Sequence, residues 1–228
     1  MRILSNKEFK VILGLIIFTA VFRIPTLGSP LIEDEAISFN RYIEVPWQIL
    51  VLNYHDTNQH TLFLLMAKIF TWIFGETEVA YRLPSFVFGV LSIPLMYRLG
   101  LAMRFPWSSA LLSSVLMALS WPHLKYSMEG RGYGITIFLA LLITFSAIQF
   151  LNNSRWIWGG VFIGSGFAMT MALPSSLFFL FGLPVFMVIV RYFELWKNNF
   201  SIKKLVLFCL PFLIMFVFIG IYFLIIYE

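Results

Sequence analysis

Ionisable residues are scarce in this chain. Of 228 residues only 12% are Asp, Glu, Lys or Arg, against about a quarter in an ordinary soluble domain. Cysteine is nearly absent: the single Cys209 sits in an apolar run, so no disulfide framework exists and the redox compartment is not legible. With three histidines, no cysteine cluster and no glycine-rich phosphate loop, the zinc-protease, P-loop and dinucleotide-binding readings fail. Long hydrophilic linkers, internal repeats and a soluble domain are also missing.

What fills the chain is apolar. Hydrophobic residues make up 60% and aromatics 18%, with 26 Phe, 14 Gly and 10 Pro, and the mean hydropathy is +0.88. This is the composition of a polytopic membrane protein, in which glycine and proline are tolerated inside helices. A net charge of +5 on so few charged groups does not suggest nucleic acid as a partner.

Apolar stretches fall near residues 9–28, 61–75, 83–103, 107–124, 132–151, 156–172, 173–190 and 204–227. Arg2, Lys7 and Lys10 precede the first, but no small-residue cleavage site follows it, so it reads as an uncleaved span. The 61–75 stretch falls short of the ~20 residues a crossing needs and carries Lys68 in its middle. Charge asymmetry decides its fate. If it lies flat, Arg98, Arg104, Arg155, Arg191, Lys197, Lys203 and Lys204 join Arg2, Lys7 and Lys10 in the cytoplasm; if it crosses, the first seven move outside. The flat reading also collects nine of the eleven acids outside, leaving Glu8 and Glu194 within.

The expected fold is therefore all-α: a polytopic transmembrane bundle of about seven spans, N-terminus cytoplasmic and C-terminus outside, in the plasma membrane. The first outer loop, about 29–80, is expected to carry two amphipathic surface helices, near 34–52 and 61–75. Residues 1–228 read as one module. Its last span ends at Glu228, as in the N-terminal part of a larger architecture.

Four polar groups converge on the outer face in this topology. They are Glu33-Asp34-Glu35, the loop from Tyr54 to His60, the segment from His123 to Tyr133, and Arg82 at the start of the second span. Carboxylates beside lipid are expensive, and their default reading is functional. Each group also has a plain reading. Asp34 and Glu35 suit the first turn of a surface helix. His55 and His60 suit an interface, and Glu129 with Arg131 a loop ion pair. Tyr81, Trp72, Trp121 and Tyr133 suit an aromatic belt, and Arg23 and Lys68 suit snorkelling.

The run EDEAISFNRY after a first span resembles the Asp-Glu motif of the GT-C glycosyltransferases, among them the dolichyl-phosphate-mannose protein mannosyltransferases and bacterial relatives that use undecaprenyl-linked sugars. The run NQHTLFLLMAKIFTWIFGETEVAYRLPSFVFGVLSIPLMYRLG resembles the family's next block, and KYSMEGRGYGI its Tyr-Ser-x-Glu-x-Arg-x-Tyr signature. Together they cover about residues 30–140; the rest matches only as hydrophobic helices. Many relatives read His-Pro-Pro-Leu where this chain has His60-Thr61-Leu62-Phe63.

The resemblance implies a membrane glycosyltransferase. It would move a sugar from a polyprenyl-phosphate-linked donor to an acceptor hydroxyl of a glycan, lipid or protein at the extracytoplasmic face, with inversion. Asp34 takes the place of the general base, and Glu35 the second catalytic carboxylate, orienting the acceptor or holding a cation. Arg131, then Arg82, would neutralise the leaving phosphate, while His60, Glu129 and Tyr133 fall at substrate-binding positions. Members of the resembling families differ in metal use; if Mg or Mn binds, Asp34, Glu35 and His60 are the ligand set. The alternative is a non-catalytic lipid-carrier-binding or assembly protein on the same scaffold.

Overall fold

The computed structural model describes residues 5–153, 155–197 and 202–226, without the side chains of 188, 190–197 and 202–208. Arg2, Arg191, Glu194, Lys197, Lys203, Lys204 and Glu228, which entered the charge argument, lie outside the described side chains. The described residues form eleven α-helices and one short 3₁₀ turn, with no strand.

The helices are α1 (Asn6–Leu27), α2 (Glu33–Tyr42), α3 (Trp47–Leu52), α4 (Thr61–Phe74), α5 (Glu78–Ala102), α6 (Trp107–Leu119), α7 (Trp121–Met128), α8 (Tyr133–Asn153), α9 (Trp156–Ala172), α10 (Leu177–Lys197) and α11 (Ile202–Ile226). Four stretches are long and apolar enough to cross a membrane: α1, α5, α8 and Cys209–Ile226. α4, α6, α9 and Pro174–Met187 are shorter apolar helices. The chain is an integral, multi-pass membrane protein by this measure and by its exterior, where Phe178, Leu224 and Ile157 are among many large apolar side chains left uncovered. Such a surface is stable against lipid and not against water.

Local chemistry explains the ends. Ser5 and Glu8 form a reciprocal capping box on α1, satisfying two orphan backbone donors. Gly75 turns the chain between α4 and α5 at φ +87°, a region glycine enters freely. Thr77 then accepts from the Ala80 N–H to start α5.

Two expected helices are each split. The stretch 34–52 breaks into α2 and α3 because Pro46 holds Val45 away from helical geometry. Lys68 fills the corner, donating to the carbonyls of Ile43 and Val45. It caps a turn rather than snorkelling. The 107–124 stretch breaks at Ser120, with Pro122 opening α7, where its missing N–H costs nothing.

The main core lies between α4, α8, α9 and α11 around Phe63, Leu64, Ile143, Phe162, Met169 and Met215. Close approach needs small residues. A Cβ on Gly89 of α5 would stand 2.2 Å from the Ser127 Cβ on α7, and one on Gly166 of α9 2.2 Å from the Met215 sulfur.

A second polar core joins α1, α5, α6 and α7. The Arg23 guanidinium, 1% exposed, donates to Ser127 Oγ (2.7 Å), the Thr19 carbonyl (2.9 Å) and the Ala118 carbonyl (3.2 Å), and meets His123 Nδ1 at 3.1 Å. His123 Nε2 lies 2.7 Å from Ser92 Oγ. Ser92 donates its own proton to the Gly89 carbonyl, so His123 Nε2 carries a hydrogen and Nδ1 accepts from Arg23. Arg23 was expected to reach for the interface; α6 and α7 enclose it instead. His123 therefore sits in the bundle, apart from the outer cluster with which it was grouped.

Candidate active site

One end of the bundle gathers the start of α2, the loop before α4, the start of α5 and the α7–α8 loop. Glu33, Asp34 and Glu35 occupy the first turn of α2, where the helix dipole favours carboxylates. The three diverge by helical rotation. Glu33 is exposed, Glu35 is buried, and Asp34 stands between.

Glu35 is completely enclosed. Its oxygens accept from Arg82 Nε (2.9 Å) and Nη2 (2.5 Å), from the Ile32 N–H (2.9 Å) and from the Gly130 N–H. Burial pushes its carboxyl upward, but Arg82 and the two backbone donors outweigh that and hold it below the usual carboxylate range. Arg82, 3% exposed, spends its remaining donors on the Leu27, Ser29 and Pro30 carbonyls. The pair thus welds the α1–α2 connection to α5. Tyr81, expected in an aromatic belt, is fully buried between Phe39 and Phe63.

Asp34 points to the other side of α2. Its Oδ2 accepts from Arg131 Nη1 at 2.8 Å, and its side chain is 46% exposed. Arg131 Nη2 donates to Asn58 Oδ1 at 3.1 Å, and the guanidinium stacks 4.9 Å above the Tyr133 ring. Arg131 Nε is buried without a partner. The loop is pinned by Ser85 Oγ, which donates to the Arg131 carbonyl at 2.7 Å. Gly130 and Gly132 let it pass: a Cβ on Gly130 would stand 2.5 Å from the Tyr81 ring, and one on Gly132 2.5 Å from the Ala172 carbonyl oxygen.

His60 precedes α4 and is 2% exposed. Burial pushes its imidazole down to about 4, against a contrary pull from the Ala172 carbonyl. It is neutral at pH 7, so Nδ1–H donates to Ala172 O at 3.0 Å and Nε2 is left a bare acceptor with no partner. Its ring packs 5.2 Å from Tyr133. Glu129 lies 3.6 Å from Lys125 Nζ. Burial raises its carboxyl, with Lys125 opposing and Glu35 adding to the rise.

The expected residues therefore separate into two layers. Asp34, Arg131, Tyr133 and His60 form a connected group with Asn58, which the sequence reading missed as a partner. Glu35 and Arg82 lie beneath it, joined through Gly130. Asp56, held below its usual range despite burial by Tyr42, the Asn58 N–H and Arg41, fixes the loop that presents Asn58. No group of three His, Cys, Asp or Glu able to hold a metal occurs among the described residues. Glu35, with its oxygens engaged by Arg82 and backbone, does not fit as a ligand beside Asp34 and His60.

No curated protein and no solved structure matches the chain. Residues 60–222 match the dolichyl-phosphate-mannose-protein mannosyltransferase family. The match opens at His60, runs through Arg82, Glu129, Arg131 and Tyr133, and extends beyond residue 140, where the motif resemblance stops; Asp34 and Glu35 precede it. With its apolar helices and the greater part of its length matched in this way, the chain belongs to the dolichyl-phosphate-mannose-protein mannosyltransferase family and is a glycosyltransferase with a lipid-phosphate sugar donor.

Proposed function

We propose that the chain moves a sugar from a polyprenyl-phosphate donor to an acceptor hydroxyl at the extracytoplasmic face, with inversion, and that Asp34 is the general base. The acceptor oxygen attacks the anomeric carbon as the bond to phosphate oxygen breaks. The hydroxyl proton passes to Asp34, and the polyprenyl phosphate leaves as an anion. The observation that carries this reading is the Asp34–Arg131 contact. It joins a half-exposed carboxylate to a guanidinium whose side chain keeps 15% exposure, so base and phosphate-neutralising group stand side by side. Proton transfer from a positioned group contributes typically 10²–10⁴-fold, and donors aimed at developing charge often contribute more.

Around this pair, Tyr133 forms a floor for the sugar ring and holds Arg131 by its π-face. Glu129 accepts a hydroxyl hydrogen from the bound sugar with its raised carboxyl, while the buried His60 ring braces Tyr133 from within. Glu35 and Arg82 act as a support that fixes Gly130 and the start of α2. The sidedness follows from seven spans, with α4 lying along the outer surface. Its Lys68 is held by the Ile43 and Val45 carbonyls of the first outer loop, which supports keeping α4 with that loop. Lys7 on α1 stacks on Trp107 of α6, which supports both helices starting at the basic, cytoplasmic end.

Two measurements test this. Purified protein given polyprenyl-phosphate mannose and a hydroxyl acceptor is expected to yield a product of inverted anomeric configuration; retention would exclude single displacement. In a Cys209→Ser background, an impermeant thiol reagent is expected to label Glu33→Cys from outside and not Lys10→Cys. The reverse pattern would overturn the sidedness.

A further inference from the structure

The opposite end of α5 carries a feature that sugar transfer does not use. Arg104 stands at φ +65°, the one described non-glycine residue in the left-handed region. Its N–H bonds to the Leu101 carbonyl and the Phe105 N–H to the Gly100 carbonyl. This is the paired closure of a helix C-terminus whose left-handed position usually belongs to glycine. A β-carbon there is penalised. A cation near a helix C-terminus is favourable in itself, but any residue of the last turn could supply it without entering this conformation.

Arg104 lines two adjoining cavities. One, of ≈ 290 Å³, is mixed, with Arg98, Gln149, Asn152 and Asn153 beside Leu101 and Phe145 on its walls. The other, of ≈ 420 Å³, is apolar, with Ile148, Leu151, Leu183, Phe186 and Met187. Asn152 borders both, and among the described residues no carboxylate lines either. Arg104 makes no ion pair with a described residue. Along α5, Arg82 and Ala102 are separated by roughly 30 Å of helix, close to one hydrocarbon thickness. The cavities therefore fall at the headgroup level of the leaflet opposite the Asp34 site, with the apolar one running toward the acyl chains.

We infer that this is a binding site for an anionic diacyl phospholipid, with the phosphate on Arg104 and the Asn152 amide and one acyl chain in the groove between α8 and α10. A cation at the mouth of an apolar groove, with hydrogen-bond donors beside it, matches a phosphodiester attached to a hydrocarbon tail. The inference needs only that the chain spans a membrane and does not depend on the chemistry at Asp34.

The test compares melting of the detergent-purified chain with phosphatidylglycerol and with phosphatidylcholine of the same acyl chains. Wild type is expected to gain about 3 °C more from the anionic lipid, as linkage to a native-state ligand requires. Arg104→Gly relieves the backbone while removing the cation. It is expected to melt no lower than wild type in phosphatidylcholine and to lose the anionic increment. Asn152→Leu, on a different helix, is expected to reduce the increment and serves as the test if Arg104→Gly is not recovered folded. Equal stabilisation of wild type by the two lipids, an increment that survives in the variants, or the same increment from inorganic phosphate alone would overturn the assignment.

Discussion

Glu35 and Arg82 form a two-point ion pair, 2.9 and 2.5 Å long, in which the carboxylate has no solvent exposure and the guanidinium 3%. Breaking such a pair leaves a buried charge without its partner, at a cost of roughly 3–5 kcal/mol. Glu35→Gln is expected to destabilise the protein by about that amount. Arg82→Met, which also strands the Leu27, Ser29 and Pro30 carbonyls, should cost at least as much. The double variant should lose less than the sum, because each change already removes the shared contact. Denaturant unfolding in detergent reads all three. An additive result would mean that the two groups act separately.

His60 gives the site a pH signature. A histidine whose native value is lowered to about 4 is neutral when folded, while the unfolded chain takes up a proton below about 6.5. Its contribution to stability is thus fully present above pH 6.5 and is lost as pH falls toward 4, reaching roughly 3 kcal/mol there. His60→Asn keeps an amide donor for the Ala172 carbonyl and cannot titrate. Melting followed from pH 7 to pH 4 should fall more steeply for wild type than for His60→Asn. Parallel curves would show that His60 is not buried as described.

The Arg23 network links the membrane core to the loop that carries Glu129 and Arg131, because Ser127 and His123 lie on α7, which leads directly into Glu129. Arg23→Ala leaves His123 Nδ1 and the Ala118 carbonyl without their donor, and buried groups orphaned in this way cost roughly 1–3 kcal/mol each. The variant is expected to melt lower and to bind donor more weakly, measured by thermal shift and by KM. An unchanged melting temperature would place Arg23 at the interface.

Backbone space at Gly132 makes the next prediction. Its added Cβ would meet the Ala172 carbonyl at 2.5 Å and His60 at 3.0 Å, so Gly132→Ala must shift the loop carrying Arg131 and Tyr133. A displacement near 1 Å is worth up to about 10²-fold in rate, and transfer should fall by at least tenfold on that scale. Gly164→Ala, with nothing within 4 Å of its Cβ, is the control and should be neutral or slightly stabilising.

The elements that were legible in the sequence are those that a local pattern dictates. The run from Thr61 and the run from Trp156 begin and end within a residue or two of the expected stretches, because apolar length and flanking Gly or Pro are read along the chain. The polar convergence of Asp34, His60 and Arg131 was visible through sidedness and motif resemblance together. What escaped depends on which helices meet. Pro46 was in plain view, yet its effect on the 34–52 helix shows only when Lys68 is found holding the freed carbonyls. A lone arginine near a span end has the same sequence context whether it snorkels or is enclosed, and Arg23 is enclosed because α6 and α7 cross over it. Likewise, nothing in Glu33-Asp34-Glu35 says which acid faces inward. Helix rotation against α5 sends Glu35 to Arg82 and leaves Asp34 half in the open.

Asp34→Asn tests the central claim most directly, with sugar transfer and donor binding measured on the same preparation. The substitution keeps the size and a hydrogen bond to Arg131 but cannot accept the acceptor's proton. Transfer is predicted to fall by roughly 10²–10⁴-fold, with donor affinity and melting temperature close to wild type. Transfer at the wild-type rate by Asp34→Asn would contradict the account.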